Sequence, residues 1–283
     1  MRVEGESNNI EDRRGGGTGG GGMMGGRRGA GIGTIVIAMV AAYFFGINPA
    51  TVMGVLGGGT QAPTQSAPVA ANARDPQTLL ISGVLKETEE VWAAVFKEQG
   101  RVYPAPKLVL FSGQTPTACG TGDTASGPFY CPGDRKVYLD TQFFQLMRDR
   151  FKAPGDFAQA YVIAHEVGHH VQNELGIMDK IEAAKQKNPR AANQLSVRLE
   201  LQADCFAGIW AKRTQLAKNF MEAGDLQEAL GAAAAVGDDT LQGAQGRVRP
   251  ETFTHGSSAQ RMQWFKRGFD AGTLGSCNTF AGA

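Results

Sequence analysis

A chain of 283 residues has room for one or two domains. Its net charge of +1 gives no electrostatic footprint for nucleic acid, and four cysteines are too few for a disulfide-rich scaffold. Glycine is over-used, with 39 residues in all and 12 among the 19 positions from Gly15 to Gly33.

Residues 1–29 are polar and glycine-rich, with too few apolar side chains for a core, and read as a disordered tail. No charged residue occurs from Gly29 to Ala73, and within that stretch residues 30–47 (AGIGTIVIAMVAAYFFGI) are almost wholly apolar. As a helix they would extend about 27 Å, close to the roughly 30 Å hydrocarbon core of a bilayer. Asn48 and Pro49 end the run. We read it as one membrane span. The competing readings are a secretory signal peptide and a buried core helix; Ala71-Asn72-Ala73 resembles a cleavage site but lies too far beyond the apolar run. Arg13, Arg14, Arg27 and Arg28 precede the run, and the first charge after it is Arg74. The positive-inside rule then places the N-terminus in the cytoplasm and the bulk of the chain on the outer side of the cell (inner) membrane. Residues 48–74 read as a flexible linker.

The folded domain is expected over 75–283. Asp75-Pro76 opens a helix that Gly100 stops, with Leu79, Val84, Leu85, Val91, Trp92, Val95 and Phe96 at helical spacing. Two short extended runs follow, KLVLF at 107–111 and KVYL at 136–139. Between them Cys119 and Cys131 bracket a Gly/Ser/Pro-rich loop. Four cysteines allow three full connectivities, and oxidising conditions outside the membrane favour bridges. The pairing adopted is Cys119–Cys131 with Cys205–Cys277; unpaired thiols are the alternative.

A helix from Asp140 or Thr141 ends near Phe151. The next runs through AYVIAHEVGHHVQNELG, residues 160–176, with Asp156 and Gln159 as a capping box and Gly176 as its stop. Its apolar residues go nearly all round, so it is expected to be buried. Gly168 inside it costs about 1 kcal/mol against Ala, which makes sense if another element approaches the backbone there. Further helices are expected from about Lys180, from Asn188-Pro189 to about Phe220, and from Asp225 and Ser257. The fold class is α+β, mainly α, with a small sheet.

His165, Glu166 and His169 form the pattern H-E-x-x-H. Residues four apart on a helix differ by about 40° in azimuth and roughly 6 Å along the axis, so two imidazoles can bite one metal ion. Glu166 projects beside them as a candidate general base. A catalytic zinc site takes three protein ligands and keeps one position open. The segment RLELQADCFAG at 198–208 offers Glu200 as the third ligand, with Asp204 on the same face to hold a ligand imidazole. Ala203, Ala207 and Gly208 let the two helices pack closely. One Zn²⁺ per chain suits two imidazoles, a carboxylate and an open position best. His170 points about 100° away from His169 and is not a ligand on this geometry. His255 is a candidate oxyanion donor, and Arg261 a candidate for supporting it or binding substrate.

H165-E-V-G-H169 followed by E200-L-Q-A-D204 is similar to the gluzincin pattern H-E-x-x-H … E-x-x-x-D. More closely, the chain resembles the bacterial putative neutral zinc metallopeptidase family, through ESNNIEDRR with the Gly-rich tail, GPFYCPGDRKVYLD, AHEVGHHVQNELGI, RLELQADCFAGIWA and THGSSAQRMQWFKRGFDAG. The resemblance implies a gluzincin-like helical catalytic domain, His165, His169 and Glu200 as zinc ligands, and Glu166 as the catalytic glutamate. THGSSAQR also resembles the H-P-x-x-x-x-R stretch of membrane-integrated gluzincins, with Gly256 in place of the proline. The resulting expectation is a membrane-anchored zinc metallopeptidase acting on a peptide or protein, its chain held in the bilayer by one span. Strand edges at Lys107–Phe111 or Val137–Asp140 are candidate peptide supports. The alternatives are a non-catalytic zinc-bound scaffold or adaptor, disfavoured by an intact Glu166, and a zinc hydrolase of non-peptide substrates.

Overall fold

The computed structural model describes residues 1–14, 75–244 and 246–281. The candidate span at 30–47 and the linker at 48–74 lie outside the described residues. Among the described residues, no helix is long and apolar enough to cross a membrane.

The fold is mainly helical with a small sheet. Helix α1 (Pro76–Glu98) starts where Asp75 accepts a hydrogen bond from the Thr78 amide at 2.9 Å. Strands β1 (Ile10–Asp12), β2 (Lys107–Phe111), β5 (Phe129–Cys131) and β6 (Lys136–Asp140) form one sheet in the order β1-β2-β6-β5. Strands β3 (Gln114–Thr117) and β4 (Gly120–Asp123) pair as a separate hairpin. β1, β2 and β6 run parallel, and β5 is antiparallel to β6. The period-2 alternation of a strand sorts the two faces. Leu108, Leu110, Val137 and Leu139 enter the helical core, while Val109, Phe111, Tyr138 and Cys131 form a second apolar cluster. Because β2 and β6 each have neighbours on both sides, neither offers the free edge expected at Lys107–Phe111 or Val137–Asp140.

Helix α2 is Gln142–Asp149, α3 is Asp156–Glu174, α4 is Ile177–Lys187 and α5 is Ala192–Lys218. Helix α6 (Asp225–Ala235), α7 (Asp238–Gly243) and α8 (Ser258–Ala271) follow. Helix α3 is buried along nearly its whole length, against α1, α5 and α6. The α5–α8 crossing depends on two glycines. A Cβ on Gly208 would fall 2.1 Å from the Phe265 carbonyl oxygen, and one on Gly268 would fall 1.9 Å from that of Cys205. Ser257 and Gln260 form the capping box that starts α8.

Two expectations are corrected here. The capping box at Asp156 and Gln159 does not form: the N-cap is Gly155, and the Glu228 carboxylate of α6 accepts from the Phe157 amide at 3.1 Å instead. The tail is not disordered throughout, because residues 1–14 pack against the domain. Ile10, Glu11 and Asp12 pair with Leu108, Val109 and Leu110. The Met1 ammonium lies 2.8 Å from Asp156, 3.3 Å from Glu222 and 3.5 Å from Asp225. A single crossing between residues 14 and 75 would put β1 and β2 on opposite sides of a bilayer, where they cannot share hydrogen bonds. In this structure β1 and β2 are hydrogen-bonded neighbours in one sheet.

Candidate metal centre

Helix α3 carries His165 and His169 one turn apart on the face that meets α5. The approach is close because Gly168 has no side chain: a Cβ there would lie 3.0 Å from the Ala203 carbonyl oxygen and 3.2 Å from its Cα. This brings Glu200 of α5 between the two imidazoles. Its carboxylate oxygens lie 3.2 Å from His165 Nε2 and 3.5 Å from His169 Nε2. One ligand atom from each of His165, His169 and Glu200 falls within 4.8 Å of the other two.

The remaining imidazole nitrogens are engaged. His165 Nδ1 lies 2.8 Å from Asp204 Oδ1, and His169 Nδ1 lies 2.9 Å from Gln172 Oε1. In each ring Nδ1 is held by its own partner, and Nε2 is the nitrogen turned toward Glu200. Two oriented imidazoles, a carboxylate and no further His or Cys in the cluster fit a divalent ion such as zinc with a position open to solvent.

Asp204 is fully buried and is held by three groups. Arg261 Nε and Nη2 each donate to it at 2.9 Å, and the Tyr161 hydroxyl donates at 2.5 Å. Burial alone would raise the Asp204 carboxyl, but Arg261 and His165 hold it below its ordinary range. Arg261, the candidate for supporting an oxyanion or binding substrate, is buried and donates to Asp204, the Tyr161 hydroxyl and the Val236 carbonyl. Its charge is paired with the carboxylate that contacts His165 Nδ1.

Glu166 sits next to the ligands at 8% exposure, and burial raises its carboxyl above the ordinary value, offset by the nearby His165 and His169. Burial acts the same way on Glu200, but His169 and His165 outweigh it, and the carboxyl lies well below the ordinary range. The charge of His255 also acts to lower Glu200. Asp238, at the start of α7, builds the His255 loop. Its Oδ2 accepts from the amides of Thr254 (2.7 Å), His255 (2.6 Å) and Gly256 (3.0 Å), and its Oδ1 lies 3.2 Å from His255 Nδ1. Gly256 has φ +91°, a conformation that favours glycine, so the loop could not close this way with the proline of the related motif.

His170 faces away, with Nε2 donating to the Pro104 carbonyl at 2.6 Å and Nδ1 lying 3.1 Å from the Tyr130 hydroxyl. Cys119 is bonded to Cys131, and Cys205 to Cys277. The second bridge ties the C-terminal segment to α5 beside Asp204. Gln172, Tyr161 and Asp238 are the participants that sequence reasoning missed. Gln172 carries a local signal, since residues three apart on a helix share a face. Asp238 carries none, because its contacts are made across a loop.

The chain matches the model of the family described as "Putative neutral zinc metallopeptidase" over residues 1–280. It is 47% identical over 287 residues to the uncharacterized protein YpfJ of Escherichia coli K12, covering 99% of both chains. It is 46% identical over 201 residues to the uncharacterized proteins Mb2605 of Mycobacterium bovis and Rv2575 of Mycobacterium tuberculosis, covering 67% of each chain. No solved structure matches it.

Proposed function

The chain belongs to the putative neutral zinc metallopeptidase family, and we propose that it hydrolyses peptide bonds with His165, His169 and Glu200 holding one zinc ion. The observation that carries this reading is the convergence of those three side chains beside a buried Glu166. Bound there, zinc supplies a Lewis acid that polarises a substrate carbonyl and acidifies water. Glu166 takes a proton from the attacking water at its carboxylate and passes it to the leaving amide nitrogen. Burial favours the protonated form of Glu166, which keeps it a competent acid for the second transfer. His255, braced by Asp238, donates a hydrogen bond to the oxygen that develops negative charge. Asp204 and Gln172 keep the two imidazoles in the tautomer that presents Nε2.

A peptide library incubated with the purified chain tests the reaction class. Cleavage that a chelator abolishes and zinc restores supports it. Stoichiometric zinc with no cleavage of any peptide contradicts it and favours the scaffold alternative.

A further inference from the structure

The Gln172 side chain touches both ligand-bearing helices. Its Nε2 donates to the main-chain carbonyl of Leu199, the residue before Glu200, at 2.7 Å. The same nitrogen donates to Gln202 Oε1 at 3.1 Å. A carbonyl accepts only, so the amide orientation of Gln172 is fixed, with Oε1 turned to His169 Nδ1. His169 must then donate from Nδ1, which leaves Nε2 as the nitrogen that faces Glu200. Gln202 is constrained in turn: its Oε1 accepts from Gln172, and its Nε2 donates to the Cys277 carbonyl at 3.0 Å. Gln172 is fully buried and Gln202 nearly so.

Cys277 is bonded to Cys205, the neighbour of Asp204 on α5. Thr279 adds a hydrogen bond from its hydroxyl to the Arg198 carbonyl at 2.7 Å. The C-terminal segment is thus pinned to α5 at Arg198, Gln202 and Cys205. An unbroken chain of oriented groups runs from the disulfide through Gln202 and Gln172 to His169.

We propose that Gln172 is a positioning residue for the ligand His169, and that the relay through Gln202 makes tight metal binding depend on the closed Cys205–Cys277 bridge. This rests on the zinc reading given above. The bridge holds the Cys277 carbonyl in place; opened, it releases the segment, Gln202 loses its acceptor, and the orientation of the Gln172 amide is no longer enforced from that side.

The test is the zinc affinity of the full chain, measured by competition with a chromogenic chelator, with thermal melting run beside it. Gln172→Met, which removes the acceptor at similar size, should bind zinc about 10–100-fold more weakly. Gln172→Glu keeps an acceptor for His169 but buries a charge against two oxygens, so it should be the less stable fold of the two and yet bind zinc more tightly than Gln172→Met. A purely structural glutamine would give the opposite order of affinities. Gln202→Met and Cys277→Ala should both weaken zinc binding by about tenfold, the lower end for groups behind a ligand. Wild-type affinity in Gln172→Met overturns the positioning role. A loss in Gln172→Met with none in Gln202→Met overturns the link to the bridge, and Gln202→Met keeps that arm testable should Cys277→Ala fail to fold. Absence of zinc binding in the unmodified chain overturns the parent reading instead.

Discussion

His165 Nδ1 lies 2.8 Å from Asp204 Oδ1, and Arg261 clasps that same carboxylate through two nitrogens at 2.9 Å. The His165 imidazole therefore faces a buried ion pair. Asp204→Asn should weaken zinc binding about 10–100-fold, read by chelator competition. Arg261→Met leaves a buried carboxylate with its main partner gone and should cost about 3–5 kcal/mol in denaturant unfolding. Wild-type stability in Arg261→Met would mean that the pair is not the brace described here.

Metal loading should release a proton. In the metal-free protein burial works against a charge on His165, but the attraction and hydrogen bond of Asp204, then Glu200, raise its pKa to about 9. The ring is charged at neutral pH, and a ligand imidazole must be neutral. Calorimetry at pH 7 in buffers of different ionisation enthalpy should show proton release, and the apparent zinc affinity should fall about tenfold per pH unit below that pKa. The sign for stability follows: with the folded pKa above the unfolded value of about 6.5, the pairing stabilises the metal-free fold most below about pH 6.5. That contribution is lost as pH rises through about 9. An affinity independent of pH between 6 and 8 would refute the charged imidazole.

Strand β1 joins residues 1–14 to the sheet that packs beneath α3. Epitope tags placed after residue 14 and at the C-terminus should report the same side when whole cells and permeabilised cells are compared with an antibody. Labelling of one tag alone in sealed cells would break the parallel β1–β2 pairing.

The α5–α8 contact allows no Cβ at Gly208 or Gly268. Gly208→Ala must push the α5 and α8 backbones apart and should cost about 1–3 kcal/mol or more, roughly 2–4 °C of melting temperature for each kcal/mol in a domain this size. An unchanged melting curve would place that crossing elsewhere.

Much of this was legible because local rules and tertiary demands agree. Asp75-Pro76, Gly176 and Ser257 with Gln260 punctuate helices in the sequence as they do in the fold. The candidate cluster was legible in part because helical periodicity alone puts His165 with His169 and Glu200 with Asp204. Gly168 announced a close approach, and Ala203 is what approaches. What failed was any feature decided across the chain. The Asp156 side chain has the local pattern of a cap, yet an ammonium and a distant carboxylate compete for its neighbourhood. Ile10–Asp12 is too short and polar to read as a strand, and only β2 makes it one. Arg261 pairs with Asp204 on another helix, and no local spacing shows that partner.

The most direct measurement pairs zinc content with peptide hydrolysis in one preparation of Glu166→Gln. Near-stoichiometric zinc with hydrolysis lost is the predicted result, since the glutamine keeps the site's shape and cannot accept the proton of water. Turnover at the wild-type rate, with zinc bound, would contradict the assignment of Glu166 as the base.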